Sequence, residues 1–226
     1  MDAKIFQIAD SIHGSVQLSQ MEKLIISTQA FNRLHSVLQN STAYLTYPAN
    51  RTSRFAHSIG AMHLCGRILR HSVENSVADT RDDFLGQVEK RIRSYLDDGS
   101  EARAKIWRTR LGDHIAELMA DPSVVADCDR LYVTNCPSLK QEQLWVYVIL
   151  FQAVRCSALL HDIGHPPFSH VSELALTRIK DETSRANATT KRYEAFRKSL
   201  GSIGKGELHE DLGNRIADRL LEHVGR

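Results

Sequence analysis

QEQLWVYVILFQAVRCSALLHDIGHPPFSH, residues 141–170, opens with a nearly unbroken apolar run and closes in a turn crowded with histidine. The apolar part, Gln141 to Leu160, is too long for a typical strand and reads as a central buried helix. Pro166-Pro167 ends that helix just after His161-Asp162, because proline has no N–H for the helical ladder. Neighbouring side chains on a regular helix diverge by about 100°. His161 and Asp162 can therefore grip one ion only from the helix end, where the backbone leaves regularity.

Outward from this segment the pattern stays helical. Toward the N-terminus, residues 5–19 mix β-branched residues with turn formers such as His13-Gly14, which predicts a hairpin or extended arm. From Gln20 to Gln39, the apolar residues Leu24, Ile25, Phe31, Leu34, Val37 and Leu38 recur at three- and four-residue steps, predicting a helix. Pro48 breaks the connection from Ser41 to Asn50. A second helix is expected from about Arg54 to His71, with Phe55, Ile59, Met62 and Ile68 facing inward. Residues 75–140, rich in Asp, Arg and Lys, read as amphipathic helices followed by a loop near Asp121-Pro122 and Asn135-Cys136-Pro137. Beyond the histidine turn a helix is expected over Ser169 to Lys180, then a polar loop to Thr190, then a closing helix in LHEDLGNRIADRLLEHV. The fold class is all-α, with a short N-terminal hairpin or arm.

Composition narrows the function classes. The chain has 226 residues, 25% of them charged, and a net charge of +2. That balance gives no support for indiscriminate binding to nucleic acid or membrane. A basic subset (Lys90, Arg91, Arg93, Arg103, Lys105, Arg108, Arg110) could touch nucleic acid, although such runs are most often a solvated face. No apolar run reaches the roughly 18 residues expected of a spanning helix, and the N-terminus has no secretory h-region. Cys65, Cys128, Cys136 and Cys156 are scattered with no CxxC pair, so reduced thiols and a cytoplasmic location are expected.

The chemistry concentrates in RFAHSIG (54–60), HDIGHPPFSH (161–170) and LHE (208–210). An imidazole beside a carboxylate suits a divalent ion of intermediate hardness: Mn, Fe, Mg, Ni, Co or Zn. His57 offers another nitrogen from a different helix. Such an ion acidifies water and draws charge from a phosphoryl oxygen. His165, His170, Glu173 and His209 offer proton donors or phosphate partners nearby. Arg54, three residues before His57 on the same helical face, could pair with phosphate. The bland reading has these histidines capping helices and bonding to backbone carbonyls. A lone His-Asp pair would favour that reading, and the three segments together do not. His63, His71, His114 and His223 follow no motif and read as surface or packing residues.

The combination RFAHSIG…HDIGHPPFSH…LHE resembles the HD-domain superfamily of phosphohydrolases. Within it, the run DSIHGSVQLS, then AFNRLHSVLQNSTAYLTYPANRTSRFAHSIG, then the HD block resembles the deoxynucleoside triphosphate triphosphohydrolases (dGTPase-like enzymes). Ala49 stands where that family has a glycine after the Tyr-Pro step. The resemblance covers 5–72 and 150–216, leaving 75–145 as a helical insertion in a single HD domain. It implies metal ligands His57, His161 and Asp162; catalytic histidines His165, His170 and His209; supporting carboxylates Glu173 and Glu210; Gln39 on a sugar hydroxyl; and Arg54 on the phosphates. His13, in the Asp-x-x-His-Gly arm, would serve structure or an oligomer contact.

The implied reaction is water attack at the α-phosphorus, releasing deoxynucleoside and triphosphate, in a homo-oligomer acting on nucleotide substrates. The family also carries a fourth ligand, an aspartate well downstream of LHE. Asp211 and Asp218 lie too close to His209 to match it, so the chain reads as C-terminally truncated or as a relative with an incomplete site. Two rival readings follow: an HD hydrolase of another nucleotide, and a catalytically silent nucleotide-binding or regulatory module that oligomerises.

Overall fold

The computed structural model describes residues 6–97, 130–185 and 208–224. Strands β1 (Phe6–Asp10) and β2 (Gly14–Leu18) form an antiparallel hairpin in which Ile8 pairs with Val16. Gly14 carries the turn at φ 74°, a left-handed conformation that costs glycine little. The helices are α1 (Gln20–Ile26), α2 (Gln29–Asn32), α3 (Arg54–Asn75), α4 (Ala78–Asp97), α5 (Arg130–Asn135), α6 (Gln141–Leu160), α7 (His170–Arg185) and α8 (Leu208–Val224). The all-α class with an N-terminal hairpin is thus observed.

Packing divides the chain into two compact units, one made of Met1–Ile25, Gly60–Ala158 and Glu222–Arg226, the other of Ile26–Ile59 and Leu159–Leu221. The first unit builds its core from α4 and α6, where Leu85 packs with Trp145, Val146 and Val148, and from Val73, Leu131, Tyr147 and Phe151. Asp82 fastens α4 to the start of α6 by accepting from Lys140 at 2.6 Å and Gln143 at 2.8 Å. A buried ion pair lies deeper. Glu22 accepts from Arg155 Nε at 2.7 Å and Nη2 at 2.8 Å, and closes a capping box with Ser19 at the start of α1. Both charged residues are almost fully buried.

Three expectations need correction. The helix expected over Gln20 to Gln39 breaks at Ser27-Thr28. Thr28 is extended, and its hydroxyl accepts from Phe31 N at 3.3 Å, a side-chain bond that competes with a continuous helix. The chain then passes through α2 and a 3-10 turn, Arg33–Ser36, into a short bridge between Leu38 and Ser53. Ile68, expected inside, is 64% exposed while Phe55, Ile59 and Met62 are buried. The 3.6-residue period carries that stripe on to Gly66 and Leu69 and turns Ile68 outward. Finally, α6 is long and apolar enough to cross a membrane by length and composition, with half of its apolar window buried. Its Gln152 and Arg155 both bond to Glu22, which fits the core helix of a folded unit.

α7 also continues to Arg185, past the Lys180 expected from the pattern. The central part of the 75–145 insertion, with Asp121-Pro122 and Cys128, and the polar segment from residue 186 to Thr190 lie outside the described residues. So do four members of the basic subset: Arg103, Lys105, Arg108 and Arg110. Cys65, Cys136 and Cys156 are free thiols. Burial pushes the Cys156 thiol up to about 12 and the Cys136 thiol up to about 11, so both stay protonated near neutrality.

Candidate metal centre

Every candidate metal-ligating, catalytic or substrate-binding side chain named from the sequence falls in the second unit. α6 ends at Leu160, and residues 161–164 form the turn that follows. His161 and Asp162 therefore leave the helix axis together, as two ligands from adjacent residues must. Backbone bonds fix the turn: Ile163 N donates to Leu160 O and His165 N to Asp162 O, each at 3.1 Å. His57 arrives from the first turn of α3.

The three side chains converge. Asp162 Oδ2 lies 3.6 Å from His57 Nε2, and Oδ1 lies 3.4 Å from His161 Nε2. One ligand atom from each residue lies within 4.8 Å of the others. Donors held about 2.1 Å from a tetrahedral ion would stand roughly 3.4 Å apart. The two shorter separations therefore match a coordination shell, and two imidazoles with one carboxylate suit a first-row divalent ion.

The protonation states agree. Burial lowers the His57 pKa, only partly offset by the Asp162 charge, so the ring is neutral near pH 7 as a ligand must be. Burial alone would keep Asp162 protonated. The bond from His165 and the charges of His161 and Arg54 overcome it and hold the carboxyl well below the usual carboxylate range.

Beside this trio stands a second histidine group. The His165 and His209 rings stack at 4.0 Å, and the His170 ring meets them edge-on at 5.0 and 5.3 Å. Glu173, one turn into α7, serves two of them. Its Oε2 bonds His170 Nδ1 at 3.2 Å, while His209 Nδ1 lies 3.1 Å from both oxygens. Glu173 also accepts the His209 backbone N–H at 3.1 Å. Burial opposes ionisation of Glu173, but these bonds outweigh it and lower its pKa. His165 is 2% exposed with Nε2 at 3.3 Å from Asp162 Oδ1. Burial lowers its pKa, with the Asp162 bond working the other way. Asp162 thus touches both histidine groups.

Other sequence candidates take different places. Arg54, expected to face phosphate, is 4% exposed. Its Nη1 donates to Asp162 Oδ2, its Nη2 to Ser169 Oγ, and Nη2 lies 3.4 Å from Gln39 O. A buried anionic carboxylate demands a counter-charge, and Arg54 supplies it here. Gln39, expected on a sugar hydroxyl, places its side-chain amide 3.1 Å from His57 Nδ1. That contact orients the ring and leaves Nε2 toward Asp162. Glu210, expected to orient the histidines, is exposed in the first turn of α8 and joins none of the histidine bonds above. An acidic residue there favours the helix dipole.

Three residues without a role from the sequence prove structural to the site. Arg33 donates Nη1 to His165 O at 2.8 Å and Nη2 to Ile163 O, tying the histidine turn to the 3-10 segment. Ser169 is buried and holds φ 53° beside Phe168 at φ 62°; such left-handed backbone at non-glycine residues costs about 1 kcal/mol or more and presents Ser169 Oγ to Arg54. Gly164 packs directly against α8, with no room for a Cβ. Only Gly164 left a trace in the sequence, as the glycine of HDIGH.

No family model matches the chain. It is 26% identical over 167 residues to an uncharacterized protein of Methanocaldococcus jannaschii, covering 74% of this chain and 20% of that protein. A putative HD domain-containing protein of Acanthamoeba polyphaga mimivirus is 24% identical over 170 residues, covering 75% of this chain and 26% of the relative. The deoxynucleoside triphosphate triphosphohydrolase of Bos taurus is 36% identical over 67 residues, which is 30% of this chain and 11% of the enzyme. The chain spans at most about a quarter of the length of these relatives.

Proposed function

We propose that the chain is a metal-dependent phosphohydrolase of the HD type, and that its substrates are deoxynucleoside triphosphates, cleaved to deoxynucleoside and triphosphate. The observation that carries the reading is the convergence of His57, His161 and Asp162 beside a second, carboxylate-oriented group of three histidines. Short similarity to a deoxynucleoside triphosphate triphosphohydrolase supports the choice of substrate.

A divalent ion held by His57, His161 and Asp162 would acidify water and polarise a phosphoryl oxygen. The residues themselves do the rest. Asp162 stays ionised with Arg54 beside it, and Gln39 fixes the His57 ring. Glu173 holds Nδ1 of His170 and His209, which leaves the opposite nitrogen of each ring to give or take a proton at a leaving or attacking oxygen. Such positioned acid–base groups contribute typically 10²–10⁴-fold. Arg54 could meet a phosphate only by loosening from Asp162, so its role toward substrate depends on the loaded state.

The test is product analysis. Purified chain supplied with Mn²⁺ and each dNTP should yield deoxynucleoside and inorganic triphosphate, and His161→Ala or Asp162→Ala should abolish turnover. Monophosphate and pyrophosphate would defeat the substrate assignment while keeping the hydrolase. Stoichiometric nucleotide binding without turnover would favour the silent module.

A further inference from the structure

We infer that Arg51 is a substrate-binding residue, and that its guanidinium takes the outer phosphates of a nucleoside triphosphate. The inference rests on the hydrolase reading, because it names the part of the substrate that the metal trio leaves unattended. A triphosphate carries several negative charges, and a divalent ion would answer those nearest to it. Arg54 has Nη1 on Asp162 and Nη2 on Ser169, and Arg33 has both terminal nitrogens on carbonyls of the histidine turn. Both are engaged inside the protein. A polyanionic substrate calls for a further cation, and the chain carries one three residues before Arg54.

Backbone bonds place it near the centre. Arg54 N donates to Val37 O at 2.8 Å and Gln39 N to Thr52 O at 2.9 Å, on either side of the bridge between Leu38 and Ser53. This short ladder runs residues 52–54 alongside 37–39, and Gln39 sets its amide 3.1 Å from Nδ1 of His57. Arg51 therefore enters the ladder beside Gln39, the residue in touch with a metal ligand.

The side chain is held ready. Asn40 Nδ2 donates to Asn50 Oδ1 at 2.9 Å and closes the loop between them. Arg51 lies across that loop, with Nε donating to Pro48 O at 3.3 Å and the guanidinium carbon 4.8 Å from the centre of the Tyr44 ring. The ring face attracts the cation without using a nitrogen. Among the described residues, Nη1 and Nη2 take no hydrogen bond, and Arg51 is exposed. The two-pronged fork that matches a phosphate is thus open to a ligand. A side chain already restrained by the protein also gives up less freedom on binding. Standing beside Gln39 and outside the metal trio, Arg51 would meet the phosphates farther from the one under attack. It would therefore favour triphosphates over monophosphates.

Nucleotide binding tests the proposal. Full chain, with Ca²⁺ in place of Mn²⁺ to hold back turnover, is titrated calorimetrically with each dNTP and the matching dNMP. The wild type should bind its preferred dNTP more tightly than the dNMP. Arg51→Gln should weaken the dNTP by about 10-fold, the worth of one hydrogen bond to a charged group, and leave the dNMP unchanged. Added salt should narrow the gap between the two proteins. Arg51→Lys, which keeps the charge and loses the fork, should fall between them, and Tyr44→Leu should show a smaller loss of the same kind. An unchanged dNTP affinity in Arg51→Gln, or an equal loss for dNTP and dNMP, overturns the proposal. Failure of the hydrolase reading shows separately. A wild type that binds dNTP and responds to Arg51→Gln, yet releases no triphosphate with Mn²⁺, loses the reaction and keeps this contact; a wild type that binds no dNTP overturns both.

Discussion

Replacing Gly164 by alanine probes how closely the histidine turn is seated on α8. A Cβ at this position would lie 2.7 Å from Gly213 Cα and closer still to His209 O and Gly213 N. All three are backbone atoms, so no side-chain rotation relieves the clash and α8 must move away from the turn. Overpacking of this kind costs about 1–3 kcal/mol, and the upper end is expected because helix backbone has to give. For a chain of this size, about 3 kcal/mol lowers the melting temperature by roughly 6–12 °C.

The reverse change is a built-in control. A Cβ at Gly213 would meet Gly164 N at 3.4 Å and Gly164 Cα at 3.7 Å, ordinary contact distances. Gly213→Ala should therefore be tolerated, and a gain of up to about 1 kcal/mol is expected from helix propensity. Thermal unfolding followed by circular dichroism would compare the two variants. Equal melting temperatures for the two variants would refute the close-seating argument.

Other consequences are testable together. His57 and His165 have pKa values depressed below 6.5 by burial, so the unfolded chain binds more protons than the folded one as pH falls below about 6.5. Their contribution is fully present above that pH and is lost as pH falls through the folded values; melting temperature should drop between pH 7 and pH 5, and His165→Gln should flatten the slope. Arg155→Leu leaves Glu22 charged and buried without its partner, which should cost about 3–5 kcal/mol in a urea titration. The double variant Glu22→Leu/Arg155→Leu should recover part of that loss, and a double variant less stable than Arg155→Leu would contradict this account of the pair.

Much of the site was legible before any coordinates. His57, His161 and Asp162 are brought together as the motifs imply, and so are His165, His170, His209 and Glu173. The chemistry of these residue types and their place at a helix end limited what they could do. The contact of Arg54 with Asp162 was not legible, because sequence spacing shows which face of a helix a residue shares, not which buried charge it meets. The place of Glu210 outside the histidine bonds was hidden for a related reason. It neighbours His209 in sequence, but successive helical side chains diverge by about 100°, and the oxygen that reaches His209 comes from Glu173 on another helix. The break at Thr28 was hidden by apolar spacing that fits either one helix or two short ones.

The sequence by itself determined the helical class, a hairpin or extended arm at the N-terminus, the end of α6 at the histidine turn and the donor types of the candidate metal centre, because those follow from periodicity, proline and side-chain chemistry along the chain. Only the tertiary structure decided that Asp162 stands between two histidine groups, that Arg54 neutralises it, that Gln39 orients His57 and that Gly164 must lack a side chain. Those facts depend on distances between residues as far apart in sequence as Arg54 and Asp162, which local pattern cannot encode and packing alone fixes.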